Sequence, residues 1–158
     1  MRHQACLLLG SNIEPEGNIL GAVDLLQKKV MIHKLSSIWE SASVNCCYPD
    51  FLNLAALVST RLSEVELKGQ ILRPLEAQMG RVRTEDKNAS RTIDIDIVLF
   101  DGKVTDPDLW LYVHRAVPVA ELFPDILSES GERLKDIARR LARTTPIQVR
   151  WDLSISLN

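Results

Sequence analysis

Two signatures that announce a nucleotide site are missing from this chain. Neither GxxxxGK[ST] nor GxGxxG occurs in its 158 residues, so no P-loop and no dinucleotide-binding turn is available, and any nucleotide must be held by side chains and metal. A charge excess is missing too. The 19 Lys and Arg against 21 Asp and Glu leave a net charge of −2, which removes the electrostatic basis for a nucleic-acid partner. Long apolar runs are absent, and the start, MRHQACLLLGSN, turns polar too soon for a signal peptide or a membrane span. A cytoplasmic protein with no membrane partner is expected. Cysteine is scarce, and Cys6, Cys46 and Cys47 are odd in number with two adjacent. That disfavours a disulfide framework and fits a reducing compartment, while no His stands at zinc-ligand spacing. Internal repeats, low-complexity tracts and linkers are also lacking. A composition of 46% hydrophobic and 25% charged residues at this length gives one domain, residues 1–158, with a sizeable core.

What is present is concentrated in Ser90 to Phe100, SRTIDIDIVLF, where two aspartates interrupt an apolar, β-branched run. Such a run reads as a strand, in which residues two apart share a face. Asp94 and Asp96 therefore point the same way with Cα atoms roughly 6.5 Å apart, a spacing that suits a hard cation such as Mg²⁺ completing its shell with water and phosphate. The alternative is an alternating strand with Ile93, Ile95 and Ile97 in the core and the aspartates in water. Upstream, Arg81 and Arg83 in GRVR repeat the two-residue spacing, and Lys87 and Arg91 follow. Convergent guanidiniums beside metal-binding carboxylates point to a polyphosphate substrate; arginines that pair with the aspartates or stand in solvent are the competing reading.

The rest of the chain supplies the frame. Ala5 to Leu9 reads as a strand ending in the turn residues Gly10, Ser11 and Asn12. A helix follows, with Pro15 in its first turn and Ile19, Val23, Leu26 and Val30 as its buried stripe. A strand over residues 33–41, a loop over 42–50 and a strand over 51–60 come next. Ser63 and Glu66 form a capping box for a second helix carrying Leu67, Ile71, Leu75 and Met79, which Pro74 should kink or break around residues 69–74. After the aspartate strand a turn falls at Asp101 and Gly102, a helix over 130–142, and a final strand over the alternating tail from Ile147 to Leu157. Strand, helix, strand, strand, helix, strand is the split βαβ order, so the fold class is α+β: a ferredoxin-like antiparallel sheet with helices packed on one face.

At this point the motifs carry a resemblance. LGSN at Leu9 to Asn12, YPDFLN at Tyr48 to Asn53, GRVR at Gly80 to Arg83 and SRTIDIDIVLFDG at Ser90 to Gly102 resemble the 6-hydroxymethyl-7,8-dihydropterin pyrophosphokinases in order and spacing, over about two thirds of the chain. The resemblance implies a monomeric enzyme of folate biosynthesis that transfers pyrophosphate from ATP to the pterin's hydroxymethyl oxygen and releases AMP. It implies that Asp94 and Asp96 hold two Mg²⁺ ions, with Arg81 and Arg91 completing the catalytic group. ATP would be met by Glu76, Arg81, Arg83, Arg91, His114 and Arg115. The pterin would lie against Gly10, Ser41, Val44, Phe51 and Asn53, beside Asp94. Phe51 and Asn53 are two apart on a strand, so a stacking ring and a bidentate amide share a face; a core Phe and a ladder-capping Asn are the plainer account of the same pair.

The chain also departs from the family pattern. Ser41, Ala42, Ser43 and Val44 replace a Pro-rich turn, and Lys87 to Arg91 lacks the tryptophan of the family's RWGPR. The His/Arg segment is shortened to LYVHRAVPVAEL, with no aromatic after the arginine. These changes imply weaker substrate binding or altered selectivity with the metal centre retained. Two other classes fit the same residues: a homologue that binds pterin or nucleotide without turnover, and a Mg²⁺-dependent phosphotransferase for another small alcohol.

Overall fold

Strand β1 (His3–Ser11) is apolar without alternation because it has two cores to fill. Its Leu7 and Leu9 join Leu52, Leu54, Ala56 and Val58 on one side, while Cys6 and Leu8 join Ala55 and Val98 on the other. A strand covered on both faces reads as a continuous hydrophobic run. Burial drives the Cys6 thiol far above its ordinary pKa, which leaves it an inert core residue.

The computed structural model describes residues 1–42, 49–82, 85 and 90–158. Among them β1, β2 (Met31–Leu35), β3 (Trp39–Ser41), β4 (Phe51–Thr60), β5 (Asp94–Phe100), β6 (Lys103–Val104) and β7 (Ile147–Val149) form one seven-stranded sheet. Its order is β6-β5-β1-β4-β3-β7, with β2 also paired to β4, and every pairing is antiparallel. Beneath the two added edge strands lies the ferredoxin-like order that the sequence pattern implies. Helix α1 (Pro15–Gln27) starts at its proline and buries Ile19, Val23 and Leu26.

The expected strand over residues 33–41 is two strands. Ser36 lies at the break, where its main-chain N–H donates to Ala55 O (2.9 Å) and its hydroxyl accepts the Ala55 N–H (2.8 Å). A side chain thus takes over a ladder bond, and the chain turns without leaving Ala55 unpaired. The capping box on Ser63 and Glu66 is present at the start of α2 (Glu64–Glu66). Pro74 acts as anticipated: a π turn over Leu67–Leu72 precedes α3 (Arg73–Gln78), in whose first turn the proline sits. The extra residue of a π turn accommodates the missing N–H without ending the helix.

Three expectations about the second half are corrected. Helices cover both faces, because α4 (Val113–Leu122) and α5 (Leu134–Thr144) pack on the Cys6–Leu8 side. Pro118 hid α4; burial of Val113, Ala116 and Val119 offsets the ~3 kcal/mol an interior proline costs. The helix expected over 130–142 starts at Leu134, since Ser130 and Gly131 belong to a turn in which Gly131 has φ 83°. The tail strand ends at Val149, because Arg150 bonds Asp152 in bidentate fashion through Nε and Nη2 (2.9 Å each) and also reaches Glu16 through Nη1. The chain turns off the sheet edge there, and Leu153 and Ile155 pack against the α1-side core instead. The Asp101–Gly102 turn stands as read: both residues have positive φ, 49° and 80°, as a tight β5–β6 hairpin demands. Among the described residues no helix is long and apolar enough to cross a membrane.

Candidate active site

Strand register builds the site before any side chain is considered. Gly10 on β1 lies opposite Asn53 on β4 and Asp94 on β5, Leu8 lies opposite Asp96, and Ser41 on β3 lies opposite Phe51. Facing residues of neighbouring strands project to one side, so Ser41, Phe51, Asn53, Gly10, Asp94 and Asp96 occupy one end of a single sheet face. They line a cavity of 410 Å³ whose opposite wall is Arg91, Tyr112, His114 and Arg115. The last three sit at the start of α4, the element that the sequence reading did not assign.

The half toward β3 suits a flat ring. Asn53 is buried and donates from Nδ2 to the Ser41 hydroxyl (2.9 Å), which fixes its amide orientation. A Cβ on Gly10 would stand 3.2 Å from Asn53 Oδ1 and 3.7 Å from the Phe51 ring, so glycine keeps the floor low between amide and aromatic. Arg91 lies over Phe51 with its guanidinium carbon 5.6 Å from the ring centre. Ser41 is the surviving hydroxyl where the resemblance implied a substitute for the family's turn.

The half toward β5 is electrostatic. Asp94 pairs with Arg91 (3.0 Å) and Arg81 (3.8 Å); Asp96 pairs with Arg115 (3.2 Å) and more loosely with Arg73 (3.9 Å). Burial raises the Asp94 carboxyl, but Arg91 and Arg81 outweigh it and hold its pKa below the ordinary range. Burial and then the Asp94 charge push Asp96 above it despite Arg115 and Arg73. Two partly buried carboxylates on one face, one of them destabilised as an anion by the other, fit a divalent cation that neutralises both. Among the described residues no cluster of three or more His, Cys, Asp or Glu side chains adds further ligands. The remaining positions of such an ion would fall to water and phosphate oxygens.

The supporting residues were not evident in the pattern. Glu76 does not line the cavity; it is 1% exposed and accepts from Arg73 Nη1 (2.6 Å) and from the Ile95 N–H (2.8 Å). It therefore pins the strand between the two aspartates from below. Asn12, read only as a turn residue, is tied to Arg91, and Asp106 holds Arg115 at 2.6 Å. Glu76 with Arg73 at i−3, and the LGSN asparagine, were the available signals. Nothing in the sequence indicates Asp106. His114 is brought down to about 4 by burial and then by the Arg115 and Arg91 charges, so its ring is neutral at pH 7; it stacks on Tyr112 at 5.5 Å. Val44, Arg83 and Lys87 lie outside the described residues.

An aromatic ring and a fixed amide at one end of the cavity, with carboxylates and guanidiniums at the other, offer neighbouring places to a planar ring and a polyphosphate. The chain belongs to the 7,8-dihydro-6-hydroxymethylpterin-pyrophosphokinase (HPPK) family, whose model matches residues 6–124. It is 30% identical over 131 residues to the folic acid synthesis protein FOL1 of Dictyostelium discoideum, covering 77% of this chain and 20% of that protein. It is 25% identical over 150 residues to the 2-amino-4-hydroxy-6-hydroxymethyldihydropteridine pyrophosphokinase of Haemophilus influenzae, covering 87% and 92%. The same fold recurs in the Plasmodium falciparum HPPK-DHPS protein solved with pteroate, at a TM-score of 0.70 and 11% identity over 90% of this chain and 43% of that one. The chain thus spans a fifth of the Dictyostelium protein and under half of the Plasmodium one.

Proposed function

We propose that the chain catalyses its family's pyrophosphoryl transfer, from ATP to 6-hydroxymethyl-7,8-dihydropterin with release of AMP. The observation that carries this is the row Asn53, Gly10, Asp94 across three strands, with Phe51 and Arg91 above it. It sets a ring-binding amide about 10 Å, two strand spacings, from a phosphate-handling carboxylate.

The pterin lies on Gly10 beside Phe51, with the Asn53 amide, steadied by Ser41, on its donor and acceptor edge. Asp94 and Asp96 hold two Mg²⁺ ions, which when bound supply charge neutralisation and polarisation of the phosphate oxygens. The pterin hydroxymethyl oxygen loses its proton to water and forms a bond to the β-phosphorus as the bond from that phosphorus to the α,β-bridging oxygen breaks, and AMP leaves with that oxygen. Arg81, Arg91 and Arg115 are placed to take the charge that develops, and neutral His114 offers a hydrogen bond to the nucleotide. Glu76 acts through Ile95 and Arg73, keeping the aspartates in register. No side-chain nucleophile is required, so positioning and electrostatics carry the acceleration. The working form proposed is a cytosolic monomer that acts on small molecules, a reading supported by the family resemblance, and the near-neutral charge gives no basis for a nucleic-acid partner.

AMP release from Mg²⁺ and ATP, measured with and without the dihydropterin, tests this. AMP that forms only with the pterin is the expected outcome. No AMP from protein that still binds ATP would overturn turnover and leave binding alone.

A further inference from the structure

Arg115 stands where two cavities meet. It lines the 410 Å³ cavity together with Asp94 and Asp96, and also a 300 Å³ cavity on the far side of Asp96, lined by Lys68, Arg73, Thr105 and Asp106. Its two terminal nitrogens are divided between carboxylates. Nη1 donates to Asp106 Oδ2 at 2.6 Å, and Nη2 reaches Asp96 Oδ2 at 3.2 Å. Asp106 is itself fixed, because its other oxygen accepts the Asp108 N–H (3.0 Å) at the start of a 3-10 turn over Pro107–Trp110. The Asp96 side chain has a second cation, Arg73, at 3.9 Å, which holds Glu76 more closely at 2.6 Å. Both arginines therefore have their shorter contact elsewhere and their longer one on Asp96.

This arrangement answers an electrostatic problem. Asp94 and Asp96 are like charges in a partly desolvated site, and without a compensating cation one of them would be driven neutral. We propose that Arg115 is an internal counter-ion for Asp96 that gives way to a divalent cation, drawing back onto Asp106 as the ion binds. The inference rests on the reading of Asp94 and Asp96 as metal-binding and adds a residue that sets how readily the metal enters. Arg115 and the ion compete for the same carboxylate oxygen, and Asp106 decides the competition by offering the guanidinium another anion. Once off Asp96, the freed guanidinium edge faces the cavity, where a phosphate oxygen can take it. Metal alone then binds against a resident charge, and metal with nucleotide does not.

The test is Mn²⁺ binding to nucleotide-free protein, read from the free-ion electron paramagnetic resonance signal. Arg115→Gln removes the competitor, and Mn²⁺ affinity rises about tenfold, the scale of one nearby charge in a partly screened site. Asp106→Asn removes the retreat, Arg115 holds Asp96 harder, and affinity falls severalfold. Arg115→Lys keeps a cation and stays closer to the unaltered protein than Arg115→Gln does. A residue that merely braced the site would weaken binding in both variants, so opposite signs are the signature. Equal or weaker Mn²⁺ binding in Arg115→Gln overturns the inference, and so does unchanged binding in Asp106→Asn, which leaves Arg115 in place and guards against a misfolded first variant. Asp96→Asn separates the two readings. If it loses Mn²⁺ while Arg115→Gln shows no gain, the metal site stands and the counter-ion falls. If Asp96→Asn binds Mn²⁺ like the unaltered protein, both fall.

Discussion

Asn12 and Arg91 are locked together across 79 residues of sequence: the Arg91 N–H donates to Asn12 Oδ1 at 2.7 Å, and the Asn12 N–H donates to Arg91 O at 3.2 Å. The same buried side chain donates from Nδ2 to Pro49 O at 3.2 Å. One amide therefore ties the end of β1 to both segments that flank the cavity, and it sets the start of the stretch from which Arg91 reaches Phe51 and Asp94.

Replacing that amide removes two of these contacts at once, while the main-chain bond to Arg91 O survives. Asn12→Ala costs about 1–3 kcal/mol of stability through the orphaned Arg91 N–H and Pro49 carbonyl. It costs more in catalysis, because Arg91 loses its fixed origin. With the proposed activity, kcat/KM falls by about 10²-fold for both substrates, since displacement of a positioning group by about 1 Å has effects of that size. Steady-state kinetics beside urea unfolding would show it. Full kcat/KM in a variant of reduced stability would confine Asn12 to folding.

Gly10→Ala separates the two halves of the cavity. The added methyl would meet Asn53 Oδ1 at 3.2 Å and lie against Phe51, where the pterin is proposed to rest, and its three nearest neighbours include neither Asp96 nor Arg115. Pterin affinity should drop by roughly 10- to 100-fold, the cost of a few kcal/mol from overpacking a fitted contact, with nucleotide affinity within about twofold. Calorimetric titration of each ligand reads both numbers. Equal losses for the two would mean that the ring does not lie on Gly10.

Local pattern exposed the parts of this architecture that depend on period. The α1 stripe, the capping box at Ser63, the full extent of β4 and the shared face of Asp94 and Asp96 all follow from side-chain direction along one element. What stayed hidden depended on tertiary exchange. The break between β2 and β3 needs Ser36 to bond Ala55 from a strand away, and α4 survives Pro118 only because the sheet buries one of its faces. The site divides in the same way. Residues on β1, β4 and β5 were legible from motif and spacing, whereas Asn12, Arg73 and Asp106 act through other residues, and only the folded chain shows which ones.

Asp96→Asn tests the carboxylate pair with little structural disturbance. The amide is nearly isosteric and its oxygen can still accept from Arg115. Arg115 and Arg73 keep Asp106 and Glu76 as charged partners, each at 2.6 Å, so neither arginine is left as an uncompensated buried charge. Unfolding free energy should change by less than about 1 kcal/mol, while AMP formation falls by 10³-fold or more, the order expected when electrostatic stabilisation of the reacting phosphates is removed. Near-normal turnover would remove Asp96 from the metal-binding proposal.

His114 gives the fold a defined acid sensitivity. Its folded pKa of about 4 lies below the ordinary value of 6.5, so between those limits the unfolded chain takes up a proton that the folded chain refuses. Stability from this group is complete above pH 6.5, declines as pH falls, and is gone near pH 4. A shift of that size corresponds to at most about 3 kcal/mol. His114→Gln removes the titration while keeping a polar side chain beside Tyr112. The unaltered protein should therefore lose stability steadily from pH 6.5 to pH 4.5, and the variant should lose it less steeply over the same range. Urea midpoints at half-unit pH intervals measure the difference. Parallel curves for the two proteins would show that the imidazole takes up its proton as readily in the folded state as in the unfolded one, and would withdraw the lowered pKa of His114.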